Sequence, residues 1–308
     1  MTAAFVKERR VAAIIVHFEQ PRRTWDLAHA LLQEPDVGDV VLVDHSRAPG
    51  ERLDVAPALR ACRVVRPTFN NGFAAGVNEG ARNVDLNAIP FLLLVNPDLR
   101  LRRGGLATLV DLLLSDDDLG AASCHIVDEH GKAWFDGGVV DVHGVPRHEA
   151  WSSATIGNRY LTGALLLTRS TAYRQVGGFD ESYFLYWEDT AYSVALTSAG
   201  WRLALAPAAL AVHDRGVAGS RGSRDVTTHK VYFEVRNRLL FLARYGSSNA
   251  LEVAVGGVRL ALRYLWASRS PIDAVTTLRW ALLGSLDGYR GLTGAGRFYS
   301  ALCETRRR

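Results

Sequence analysis

Long apolar runs are missing from this chain. Its most apolar C-terminal stretch, LEVAVGGVRLALRYLWA, is interrupted by Arg259 and Arg263, whereas a spanning helix needs about 20 mostly apolar residues. No spanning segment is expected, which leaves attachment along a membrane surface open. The opening residues MTAAFVKERR lead into an apolar run too short for a signal-peptide core, so export is not expected. Cysteine is scarce. Cys62, Cys124 and Cys303 lie far apart with no CxxC pair, which argues against a zinc knuckle or a disulfide framework and fits a reducing, cytoplasmic compartment. Charge of one sign is not abundant either: the net +4 is partly carried by Arg306, Arg307 and Arg308. So small an excess is only weak evidence for an anionic partner, and no nucleic-acid partner is expected. Internal repeats and low-complexity tracts are also lacking.

What is present is enough to bury a full core: 308 residues of ordinary apolar content. Short β-branched runs recur at 11–16 (VAAIIV), 39–44 (DVVLVD), 63–66 (RVVR) and 91–98 (FLLLVNPD), separated by helix-like segments. That rhythm predicts an α/β fold with a mostly parallel central sheet. Thr24 is placed to cap a helix running through Leu31 and Leu32, with Pro35 beyond its end. Polar, Gly-bearing sequence from about 128 to 160 reads as hairpins or a mobile loop whose tip would serve as a lid. A helix is expected near Ser170, stopping at Gly177-Gly178. From about 229 the pattern is helical to the end.

Ligands of open α/β sheets collect beyond the carboxyl ends of the strands, where His17, Asp44 and Asp98 fall. Asp44 reads either as a ligand-facing carboxylate or as a loop cap. In NNGFAAGVNEGAR at 70–82, glycines 72 and 76 would let a phosphate-bearing ligand approach the backbone, but the segment is not a GxGxxG fingerprint and reads equally as a structural turn. Asp98 directly follows an apolar strand, and Pro97 restrains the turn that aims it outward. Such a hard oxygen ligand suits Mg²⁺ or Mn²⁺ bridging a diphosphate. Glu188 and Asp189 follow an aromatic cluster of Tyr183, Phe184, Tyr186 and Trp187, where desolvation would tune a carboxylate toward a general base. The same pair also reads as acids favoured by a helix N-terminus. His213 ends an apolar run, as a metal ligand or as a packing histidine.

In this order the segments resemble the family 2 glycosyltransferases, especially their rhamnosyltransferase branch, over roughly residues 11–220. GGFDE, FLYWED, AGW and the downstream His213 carry most of the likeness. The resemblance implies a GT-A fold with a C-terminal helical extension, and inverting transfer from a nucleoside diphosphate sugar to a sugar, lipid-linked glycan or natural-product acceptor. It places Asp44 and His17 on the nucleotide side, and Asn71, Gly72, Phe73, Gly76, Asn78 and Asn96 along the nucleotide-sugar pocket. Asp98 stands at the DxD metal position with His213 completing the coordination. Asp189 stands as base with Glu188 beside it, and Gly163 and Trp187 on the loop between donor and acceptor. These residues are expected to surround one cavity. The implied domains are 1–228, with a nucleotide-sugar half to about 100 and an acceptor half after it, and 229–308.

The sequence departs from the family at HFEQP, at VDHSRAPGE and in EDTAYSVAL, which lacks the charged residues that ordinarily follow the acid pair. Tyr232, Arg236 and Asn237 match a family segment without an assigned role. A sugar nucleotidyltransferase and a non-catalytic sugar-nucleotide-binding scaffold are the rival readings. The C-terminal helices read as a packed cap, a face docked peripherally on the inner side of a membrane, or a homodimer seam.

Overall fold

The computed structural model describes residues 8–46, 49–53, 60–141, 143–152, 158–214, 224–246, 249–267 and 270–298. Cys303 and Arg306 to Arg308 lie outside them. The first half alternates strand and helix: β1 (Val11–His17), α1 (Pro21–Leu31), β2 (Val37–Asp44), β3 (Cys62–Val65), α2 (Phe73–Arg82) and β4 (Phe91–Val95). After it come β5 (Leu99–Leu101), α3 (Gly105–Leu114), β6 (Leu119–Asp128), β7 (Ala133–Phe135), β8 (Gly138–Val140), β9 (Pro146–His148) and β10 (Asn158–Tyr160). The chain continues through β11 (Leu165–Arg169), α4 (Ser170–Val176), α5 (Glu188–Ser198) and β12 (Arg202–His213). It ends in α6 (Arg224–Tyr245), α7 (Ala250–Ala267) and α8 (Pro271–Tyr289).

The main sheet runs β3-β2-β1-β4-β11-β6-β12-β5, with β7 added to β6. Strands β3, β2, β1 and β4 are mutually parallel, as are β6 and β12, whereas β11 runs antiparallel between β4 and β6. This arrangement brings the carboxyl ends of β1, β2, β4, β6 and β12, and the amino end of β11, to one edge. Both faces are covered, so the strands read as continuous apolar runs. Along β1 the side chains alternate: Val11, Ala13 and Ile15 pack toward α1 and α3, while Ala12 and Ile14 pack toward α2, α4 and α5.

Helix α1 begins at Pro21, which needs no amide partner at the first helical position, so Thr24 is not its cap. Thr24 is buried one turn in, with its hydroxyl 2.7 Å from His17 Nδ1. Helix α4 begins at Ser170 and stops at Gly177 in the left-handed region, as its sequence predicts. The stretch from 128 to 160 forms β7 and a small antiparallel sheet, β10-β8-β9.

Asn78 is saturated. Its amide nitrogen donates to the Phe179 carbonyl and to Glu181, and its oxygen accepts from Tyr173 Oη at 2.6 Å and Phe179 N at 2.9 Å. Rather than reaching for a nucleotide sugar, it clamps the GGFDE turn onto α2. Replacing Asn78 by Ala leaves several of these buried groups unpaired and is expected to cost about 2–4 kcal/mol. Urea unfolding checks this, and a change below about 0.5 kcal/mol would contradict the clamp.

Candidate active site at the carboxyl edge of the sheet

The nucleotide-side candidates are turned inward. His17 is fully buried; its Nε2 donates to the Glu51 carbonyl at 2.9 Å, while Nδ1 meets Thr24. With both nitrogens engaged, His17 braces the loop after β2 and presents nothing to a ligand. Asp44 is equally enclosed. It accepts from the backbone amides of Ser46 and Leu53, each at 3.0 Å, with Arg66 3.5 Å away. The loop-capping alternative therefore describes it.

The glycines of the next segment also serve internal approach. Gly72 has φ 95°, and a Cβ there would fall 2.1 Å from the Phe184 carbonyl oxygen. At Gly76 a Cβ would meet His45 and Val16, both at 2.9 Å. Phe73 N donates to that same Phe184 carbonyl at 2.8 Å, so the segment docks the start of α2 onto the FLYWED turn. Asn71 is the exposed member of the set. Asn96 acts through its backbone, donating to the Ala164 carbonyl and accepting from Leu99 N.

The metal candidates meet. Strand β5 lies antiparallel to the end of β12, and Asp214 N donates to the Asp98 carbonyl at 2.8 Å. His213 Nε2 stands 3.4 Å from Asp98 Oδ2, and its ring stacks on Trp134 with centroids 4.2 Å apart. Asp98 Oδ1 is enclosed and has no hydrogen-bond partner among the described residues. A carboxylate oxygen left unmatched beside an imidazole fits a divalent cation, with diphosphate and water completing the shell.

The acid pair opens α5. Tyr186 and Trp187 just before it hold φ 66° and 77°, a left-handed backbone that is costly for aromatic residues. Asn237 of α6 stabilises this turn by donating to the Leu185 carbonyl at 2.9 Å and the Tyr186 carbonyl at 2.7 Å. Arg236, buried over Phe233, donates through Nε to Asn237 Oδ1 at 2.8 Å and so orients its amide. Trp187 is buried against Phe241. Asp189 is half-buried: Oδ2 accepts from Gly163 N at 2.9 Å, and Oδ1 accepts from Thr190 N at 2.7 Å. A Cβ on Gly163 would crowd both Asp189 and Phe73 at 3.3 Å, which accounts for glycine there. Glu188 is buried, with Oε2 lacking a hydrogen-bond partner among the described residues. Burial pushes the Asp189 carboxyl up; burial, then Asp189 itself, pushes Glu188 well up.

Asp98 and Asp189 share the edge but line different clefts. Asp189 and Glu188 line one of about 140 Å³ with His148, Tyr160, Thr162 and Glu234. Asp98 lines another of about 280 Å³ with Arg23, Asp26, Arg100 and Asp214. The single cavity expected from sequence is thus two. They are tied through Gly163-Ala164, whose amide and carbonyl reach Asp189 and Asn96 respectively, and through Trp134, which stacks on His213 and accepts from His148 Nδ1 at 2.9 Å. A larger cavity of about 510 Å³ behind the GGFDE turn is lined by packing groups such as Tyr173, Tyr192 and Asn78, and holds none of the acid pair, Asp98 or His213.

The chain is 29% identical over 275 residues to the N-acetylglucosaminyl-diphospho-decaprenol L-rhamnosyltransferase of Mycobacterium tuberculosis, covering 80% of each. It is 28% identical over 160 residues to the rhamnosyltransferase WbbL of Escherichia coli, covering 47% of this chain and 58% of that one. A mannosyltransferase from Pyrobaculum calidifontis, solved with GDP-Man and Mn²⁺, superposes with a TM-score of 0.57 at 15% identity, covering 91% of this chain and 87% of the other. No family model matches. The chain is thus similar to rhamnosyltransferases over most of its length, and its α/β architecture is the GT-A fold of a solved glycosyltransferase.

Several residues of this candidate site carry no sequence signal: His148, Glu234 and Trp134 come from the hairpins and from α6. Asn237 and Arg236 were visible as a segment, but their work on the 185–187 turn is legible only in three dimensions. The buried acids yield a pH prediction. A carboxyl whose folded pKa lies above its unfolded value binds more protons in the native state, so stability falls as pH rises through that window. Glu188→Gln removes this penalty and is expected to stabilise the fold by about 1–2 kcal/mol at neutral pH. The gain should vanish below the ordinary glutamate range near about 4.3. Unfolding curves across pH test it; a gain independent of pH would contradict the desolvated pair.

Proposed function

We propose that this glycosyltransferase moves a deoxyhexose such as rhamnose from a nucleoside diphosphate sugar to a hydroxyl of a lipid-linked glycan, with inversion at the anomeric carbon. One observation carries the reading: Asp189 is a half-buried carboxylate held in fixed orientation by Gly163 and Thr190, on the same sheet edge as the Asp98–His213 pair. The relatives' rhamnosyl transfer and the diphospho-decaprenol acceptor of one of them support the choice of substrates.

In this mechanism Asp189 accepts the proton of the acceptor hydroxyl as its oxygen attacks the anomeric carbon, and the nucleoside diphosphate leaves from the opposite side. Burial makes Asp189 a stronger base than an exposed aspartate, and such a positioned base typically contributes about 10²- to 10⁴-fold. Glu188 is buried beside it, and burial and then the Asp189 carboxyl push it up. Asp98 and His213 would hold Mg²⁺ or Mn²⁺, which when bound supplies positive charge to the departing diphosphate. The acceptor side is the cleft walled by Tyr160, His148 and Glu234, which opens beside Lys230 and Arg263.

Asp189→Asn is expected to retain donor binding while turnover falls by about 10²- to 10⁴-fold; wild-type-like turnover would remove Asp189 from the mechanism. In the wild type, kcat should decline as pH falls through a value above the ordinary aspartate range. Asp98→Ala or His213→Ala is expected to raise the Mn²⁺ concentration needed for half-maximal activity by about 10- to 100-fold. A metal titration unchanged in both variants would place the cation elsewhere.

A further inference from the structure

Helix α8 is built inside out. Its inward face carries small residues at close contact: a Cβ on Gly284 would fall 2.6 Å from the Tyr232 carbonyl oxygen, and one on Gly288 would fall 2.7 Å from that of Arg236. Its large apolar side chains, Ile272, Val275, Leu278, Leu282, Leu286 and Tyr289, are exposed at spacings of three and four residues, hence on one stripe. Helix α7 repeats the pattern with Leu251, Val255, Val258, Leu262 and Trp266 exposed. The two outward apolar stripes lie on helices that pack against each other.

We infer that this α7–α8 face docks on an anionic lipid surface, an inference that rests on the lipid-linked acceptor proposed above. Charge selects lipid over a second copy of the chain. Arg279 on α8 and Arg290 just past it are exposed, and no acidic side chain among those described is exposed on either helix; Arg259 and Arg263 of α7 are exposed too but pair with Asp141 and Glu234, each at 3.0 Å. Two copies joined through this face would bring Arg279 and Arg290 together with no exposed carboxylate described on either helix to meet them, whereas anionic headgroups neutralise them. Trp266, 92% exposed, and Tyr289, 89% exposed, are the aromatic types that settle at the headgroup level. No described helix is long and apolar enough to cross a membrane, so the contact lies in the plane of the interface. The face is continuous with the acceptor side: Arg263 extends from α7 to pair with Glu234 at 3.0 Å, and with Lys230 and Tyr264 it walls the cleft next to Asp189. An acceptor anchored in the bilayer therefore has a short path to the acid pair.

The test is flotation of the full chain with vesicles of phosphatidylcholine alone or mixed in equal parts with phosphatidylglycerol, beside Leu262→Asp/Leu282→Asp. Both positions are exposed and remote from the acid pair, so donor hydrolysis by this variant reports intact folding. Wild type should float with the mixed vesicles, less at high salt, with Trp fluorescence shifted to the blue; the variant should float about tenfold less. Absence of wild-type flotation overturns the inference, as does a lipid-free dimer that the variant turns into a monomer, which would make the face a seam between copies. Flotation needs no turnover. Loss of glycosyl transfer with flotation intact would thus fault the proposed reaction and leave the docking face standing.

Discussion

Glu188 and Asp189 begin a helix whose amino-terminal dipole favours their ionised forms, yet they are packed where water cannot solvate both. Burial prevails, and both carboxyls are raised. The chain enters α5 just before these acids through a left-handed turn at Tyr186 and Trp187. Asn237, aligned by Arg236, stabilises that turn from α6. Phe184 in turn offers its carbonyl to α2, which ties the turn to the nucleotide-side half of the sheet. One strained turn thus joins three parts of the chain that are distant in sequence.

This dependence explains why the C-terminal helices are not a detached appendage. Phe184 stacks on Phe233 with centroids 5.3 Å apart, and Trp187 tilts on Phe241 at 5.0 Å. Buried Arg238 donates to the carbonyls of His143, Gly144 and Val253, fastening the hairpin region and α7 to α6. The helix that walls the cleft beside Asp189 is therefore also the one that holds the turn before α5.

The fold was largely legible in the sequence because the strands of a doubly covered sheet are continuous apolar runs. Those of β1, β2, β3 and β4 sit close to where their runs predict, and α4 has the predicted start and stop. The antiparallel insertion of β11 has no local signature, since strand direction is a property of connections. At the site, residues that end strands were readable: Asp98 and His213 meet because β5 and β12 pair. Residues chosen for polarity or for glycine content carry internal contacts in the fold. His17, Asp44 and Asn78 look like ligand contacts but are spent on internal loops and turns, and Gly72 and Gly76 admit neighbouring protein atoms instead of phosphate. A sequence shows that a buried polar group needs partners; it does not show whether those partners come from the protein or from a ligand.

The central claim, that packing keeps Asp189 a desolvated base poised at the sheet edge, is tested most directly by carbon-detected NMR titration of its carboxyl in the free enzyme, assigned by comparison with Asp189→Asn. The account predicts a midpoint clearly above the ordinary aspartate value of about 3.9. A midpoint at or below that value would show that the helix dipole and the Gly163 and Thr190 amides outweigh burial, and would contradict it.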